Sequence, residues 1–124
     1  METKTNETGF PSPAQGYDAK SFDFNRILVR NPAATYIMEL AGATMTDKGL
    51  MPGSLLIVDR SVKPKTGSLV ILAYEGEFIC RELVKSGKSM VFKDQIHDDI
   101  EPREGLIEVF GVVTCVINRY DISH

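Results

Sequence analysis

The chain has 124 residues, 43% of them hydrophobic and 25% charged, with a formal net charge of −3. That length fits one folding unit, and the apolar fraction is enough for a core and too high for a disordered chain. The acidic balance excludes broad binding to a phosphate backbone, which depends on clustered Lys and Arg, so no direct specific DNA binding is expected.

Taken in chain order, the first segment is polar. Met1 to Thr8 lacks the apolar stretch of a secretory signal. No apolar run in the chain approaches the ~20 residues needed to span a bilayer, so the expectation is a cytoplasmic protein with no membrane contact. Residues 1–24 are rich in Thr, Ser, Asn, Pro and Gly, and the prolines of Phe10-Pro11-Ser12-Pro13 bias that stretch to extended geometry. This segment is expected as an extended arm, leaving 25–124 as the folded domain. Ser21 can cap a short helix reaching Arg30, since Phe24, Ile27 and Leu28 fall at helical spacing, and Asn31-Pro32 stops it.

From Ala34 onward, short runs rich in Val, Ile, Tyr and Phe alternate with turn residues, the pattern of a mainly β fold of several short antiparallel strands. Strands are predicted over Thr35–Ala41, Leu55–Asp59, Leu69–Tyr74, Glu77–Val84, Met90–Lys93 and Ile107–Asn118. Turns are predicted at Pro52-Gly53, Lys65-Thr66-Gly67, Glu75-Gly76 and Ser86-Gly87, with Tyr74 to Glu77 as a tight hairpin. The last run is apolar on both faces around Gly111, which suits either a central strand with a bend or a strand at an interface.

Cys80 and Cys115 lie in apolar runs and are expected as two buried free thiols. His97 and His124 share no ligand spacing with them, so no metal site is expected. No phosphate-cradling Gly-rich loop is present, so no cofactor is expected either. The acidic stretch Asp98, Asp99, Glu101 beside His97 reads as a solvated loop.

Four segments in order then carry a specific resemblance. Gly9-Phe10-Pro11-Ser12-Pro13-Ala14 resembles the stretch just after the self-cleavage bond of UmuD. Ala41-Gly42-Ala43-Thr44-Met45 stands where that family has Ser-Gly-Asp-Ser-Met. Pro52 to Arg60 resembles the strand after the nucleophile loop, and Val109-Phe110-Gly111-Val112-Val113 resembles the near-terminal strand. Glu77 to Leu83 fits the strand that bears the catalytic lysine. The chain thus resembles the UmuD type of the LexA-like serine peptidases, and a LexA/UmuD-like β domain is the implied fold.

Active members of that family use a Ser-Lys dyad, in which a neutral lysine takes the proton of the attacking serine. The matching positions here are Thr44 and Arg81, and the acidic residue before the serine is Ala43. Threonine adds a methyl that crowds the attack. A guanidinium, with a pKa above ~12, stays protonated and does not act as a base. The resemblance therefore implies a pseudo-peptidase, with Arg81 expected on a half-exposed strand with its head in water. The resemblance also places a vestigial cleavage bond at Thr8–Gly9, and because only seven residues precede Thr8 it implies a protein made in its processed form.

By resemblance, the implied role is that of a homodimeric UmuD′-like accessory subunit, acting with a UmuC-like Y-family DNA polymerase and the RecA filament in SOS translesion synthesis. Phe10 in the arm and Val109, Phe110, Val112 and Val113 in the last strand are the partner and dimer contacts implied, with burial in the monomer as the alternative for that strand. Two other roles stay open. One is a residual peptidase using Thr44 with an unidentified base, for which Lys85 and Lys88 sit too close to a turn. The other is a decoy that forms mixed dimers with an intact UmuD. A repressor fragment is disfavoured, since no helix-turn-helix is evident in the arm.

Overall fold

A computed structural model of the chain describes residues 23–102 and 107–120. Ser21, Thr8, Gly9 and Phe10 lie outside the described residues. The first element is a single helical turn, α1 (Phe24–Leu28), capped by the Asp23 carboxylate, which accepts from the Asn25 N–H at 3.0 Å. The expected helix was longer. Phe24 and Ile27 stay 59% exposed, so no apolar face is buried to extend the turn.

The apolar runs become six strands among the described residues: β1 (Thr35–Glu39), β2 (Leu55–Asp59), β3 (Leu69–Tyr74), β4 (Glu77–Ser86), β5 (Ser89–Lys93) and β6 (Ile107–Ile117). They form one sheet in the order β1-β2-β6-β3-β4-β5, with every pair antiparallel. The mainly β expectation holds, with boundaries displaced by one or two residues. The β3–β4 connection is the two-residue hairpin expected at Glu75-Gly76, whose φ angles of 50° and 82° give the primed turn that suits the twist of paired strands.

Strand β6 organises the molecule. Its first half pairs with β3 and its second half with β2, so Val112 lies opposite both Val70 and Asp59. Two bulges make that handover possible: Phe110 is the unpaired extra residue against β3, and Thr114 against β2. Between them sits Gly111, where an added Cβ would lie 2.7 Å from Val58 Cγ1 and 3.3 Å from the Asp59 carbonyl oxygen. Only glycine lets the two strands approach so closely.

Two apolar clusters fill the opposite faces. Met45, Leu50, Leu56, Val58, Ile71 and Cys80 form one; Val70, Leu72, Leu83, Phe92, Ile100 and Val112 form the other. Alternate residues of β3 serve alternate clusters, which is why that strand reads as an unbroken apolar run. Of the two thiols expected to be buried, Cys80 is; Cys115 is only half-buried, because β6 leaves its second half partly open to solvent. Both are free.

Candidate active site

The loop after β1 carries Thr44, and its position is fixed from both sides. The β1–β2 pairing is prolonged by Leu40 N–H to Ser54 O at 2.9 Å and Gly53 N–H to Leu40 O at 2.7 Å. Met45 and Leu50 then plunge into the first apolar cluster, at 1% and 0% exposure, with a 3-10 turn over Thr46–Lys48 between them. Thr44 is left half-buried directly before the first anchor. Ser54 Oγ caps the returning chain, accepting from the Met51 N–H at 2.9 Å and donating to Asn118 Oδ1.

The segment after β5 is stapled onto this loop. Gln95 N–H donates to Thr44 O at 3.0 Å, Gln95 Nε2 donates to Thr46 Oγ1 at 2.6 Å, and Asp47 N–H donates to Gln95 Oε1 at 3.0 Å. Asp94, one residue earlier, turns the backbone by accepting at Oδ1 from the Ile96 and His97 N–H groups at 2.9 and 2.7 Å.

Arg81 departs from expectation. The residue is 6% exposed rather than half-exposed with its head in water. Its Nε lies 3.2 Å from Asp94 Oδ2, and Nη1 donates to Asp98 O at 3.1 Å and to Phe92 O at 3.4 Å. The Asp94 carboxylate and two carbonyls replace the water the guanidinium gives up, which is what a buried charge requires.

Asp94 serves a second partner. Its Oδ2 is 2.8 Å from His97 Nδ1, with the Asp94 side chain 2% exposed and the His97 side chain 57% exposed. Burial alone pushes the Asp94 carboxyl up. The hydrogen bonds from the His97 ring and from the His97 and Ile96 N–H groups, with the Arg81 charge, outweigh burial and hold it below the usual carboxylate value.

Thr44, Arg81, Asp94 and His97 all line one cavity of about 310 Å³, walled by Met38, Leu40 and their neighbours. The two sequence-predicted site residues are therefore brought to the same cavity. Asp94 and His97 are not singled out by the sequence, where His97 reads as part of a solvated loop and a lone Asp-x-x-His after a strand is too common a turn to mark a site. Lys85 and Lys88 are exposed near the β4–β5 turn, and neither is among the lining residues. The neighbouring Cys80 thiol is pushed up to about 12 by burial and then by the Asp94 charge.

The strand predicted for partner contact divides. Val112 is 6% exposed in the second cluster and Val113 packs against the first, so both serve the chain's own core. Val109 is 36% exposed, and Phe110 makes edge contacts with Tyr36 and Phe78 at 5.2 and 5.0 Å beneath the Arg60 guanidinium. Among the described residues no group of side chains could hold a metal ion, and no helix is long and apolar enough to cross a membrane.

A family model described as Peptidase S24-like matches residues 4–114. The chain belongs to this family. Protein SamA of Salmonella typhimurium is 35% identical over 118 residues, covering 94% of this chain and 83% of SamA. Protein ImpA of Escherichia coli is 37% identical over 116 residues, covering 91% and 79%. The LexA repressor of Glaesserella parasuis is 27% identical over 114 residues, 88% of this S24-like chain and 54% of the repressor. The UmuD-like resemblance read from the four segments is borne out, and the six-stranded antiparallel sheet is consistent with an S24-like β domain.

Proposed function

We propose that this S24-like chain is a UmuD′-like accessory subunit of an error-prone translesion DNA polymerase, working as a homodimer with a UmuC-like Y-family partner and RecA, and that its Ser-Lys self-cleavage route is closed. The observation that carries the second half is Arg81. At the position matched to the family lysine stands a permanently charged group, held by a carboxylate and two carbonyls in the cavity that Thr44 also lines. A general base is typically worth ~10²–10⁴-fold, and a guanidinium offers no lone pair to accept the hydroxyl proton. The accessory role rests on the likeness to the UmuD-like SamA and ImpA over most of the chain. The exposed Val109 and half-buried Phe110 beside Tyr36 are the dimer or partner contact in this reading.

The test is a co-purification with a UmuC-type polymerase, run beside incubation with activated RecA at alkaline pH and mass spectrometry of the chain. The expected result is a retained polymerase and an uncut chain, while the Thr44→Ser, Arg81→Lys double variant gains cleavage of a UmuD-type substrate in trans. Loss of the polymerase sinks the accessory role; cleavage by the unmodified chain sinks the claim that Arg81 closes the site.

A further inference from the structure

The cavity that lost a lysine base holds another candidate for that task. His97 lines it together with Thr44. The imidazole Nδ1 is fixed on Asp94, whose buried carboxylate is itself braced by Arg81 and two backbone N–H groups. That arrangement leaves Nε2 as the basic nitrogen of the neutral ring, since an Nδ1–H held by a carboxylate sets the tautomer. Neither Nε2 of His97 nor the Thr44 hydroxyl takes part in a hydrogen bond with the described residues. The Gln95 staple, tied to Thr44 O by its backbone and to Thr46 by its side chain, sits between Asp94 and His97 and couples the imidazole segment to the hydroxyl loop.

We infer that Thr44, His97 and Asp94 form a hydroxyl, imidazole and carboxylate set for acyl transfer, in which His97 does what Arg81 does not. In the step, Thr44 Oγ1 attacks the carbonyl carbon of a bound ester as its proton passes to His97 Nε2. The carbon–oxygen bond to the alcohol then breaks, and that alcohol leaves with the proton from Nε2. Water, deprotonated by the same nitrogen, releases the acid and restores Thr44. Asp94 is the positioning residue, holding the ring and balancing the imidazolium.

The substrate class follows from three features of the site. The Thr44 methyl crowds the nucleophile, and the His97 side chain is 57% exposed, so the imidazolium works in water and is poorly placed to force a proton onto an amine leaving group. An ester with a good leaving group needs no such push, whereas a peptide does. The wall formed by β1 and the loop after it carries Met38, Leu40 and Ala41 beside Glu39, and its apolar part suits a short acyl chain. This inference goes beyond the accessory role and is separable from it.

The test uses the full chain with p-nitrophenyl acetate and p-nitrophenyl butyrate, followed by mass mapping of any acyl adduct. We expect slow turnover, with the adduct on Thr44. His97→Asn should lower the rate by about 10²-fold, and Thr44→Val should remove the adduct. His97→Asn removes the ring's hydrogen bond to the buried Asp94, so its rate is read beside an unchanged melting temperature and unchanged polymerase retention, while Thr44→Val leaves that bond intact and tests the set independently. An equal rate in either variant, or an adduct on another residue, overturns the inference without touching the accessory role.

Discussion

Arg81 and Asp94 are each buried, and each is tolerable only because of the other. Removing the carboxylate by Asp94→Asn leaves the guanidinium with two carbonyls and no counter-charge, a change that costs about 3–5 kcal/mol when a buried pair is broken from one side. A lower urea midpoint at an unchanged slope, the shift multiplied by the slope matching that loss, is the expected outcome. Removing both charges with well-packed apolar residues should cost far less, because the desolvation cost disappears with the pair. A double variant no more stable than Asp94→Asn counts against this account. At the next position, the Cys80 thiol is pushed up to about 12, so it should resist iodoacetamide at pH 8 in the native protein and react once the chain unfolds. Fast native labelling mapped to Cys80 contradicts that.

At the scale of elements, the strands were legible because two-sided burial writes itself as an apolar run, and the Glu75-Gly76 hairpin because few residue pairs make that turn. The bend at Gly111 was legible too, though its cause was not. The cause is the approach of Val58 on β2, a contact between residues more than fifty positions apart that no local pattern encodes. Gly111→Ala forces a methyl to 2.7 Å from Val58 Cγ1 and should cost about 1–3 kcal/mol, with Val58→Ala in the same chain recovering part of the loss. Strict additivity of the two changes in denaturant unfolding refutes the close-contact explanation. The site was half legible for the same reason. Thr44 and Arg81 stood in segments that resemble a known family, while Asp94 and His97 gain meaning only because β4 and β5 pair and bring Arg81 beside the turn that follows β5.

At the scale of the whole molecule, β6 ties the two apolar clusters into one cooperative unit, and the titrating groups test that unity from both ends of the pH scale. Asp94 follows β5 and Asp59 ends β2, so they sit in regions that β6 connects. Asp59 is held down mainly by the Ser61 hydroxyl at 2.5 Å and the Ser61 N–H at 2.8 Å, against the opposing pull of desolvation and with help from Arg30. Both carboxyls have folded values below the ordinary 3.8. Between the folded and unfolded values the unfolded chain holds more protons, so their contribution is complete above about pH 4 and is lost as the pH falls through the folded values. Cys80 acts in the opposite sense. Its folded value is raised from 9.0 to about 12, so the native chain keeps a proton that the unfolded chain releases, and stability drains as the pH rises across that window. The melting temperature should therefore be flat between these limits and fall on both sides, with Cys80→Ala flattening the alkaline limb and Asp94→Asn removing the Asp94 share of the acid one while that of Asp59 stays. If β6 joins the halves as its pairing indicates, each fall is a single transition seen alike by far-ultraviolet circular dichroism and by tyrosine fluorescence. Two separated transitions at low pH would mean that the β2 and β5 regions melt independently, and that the handover at Gly111 couples them weakly.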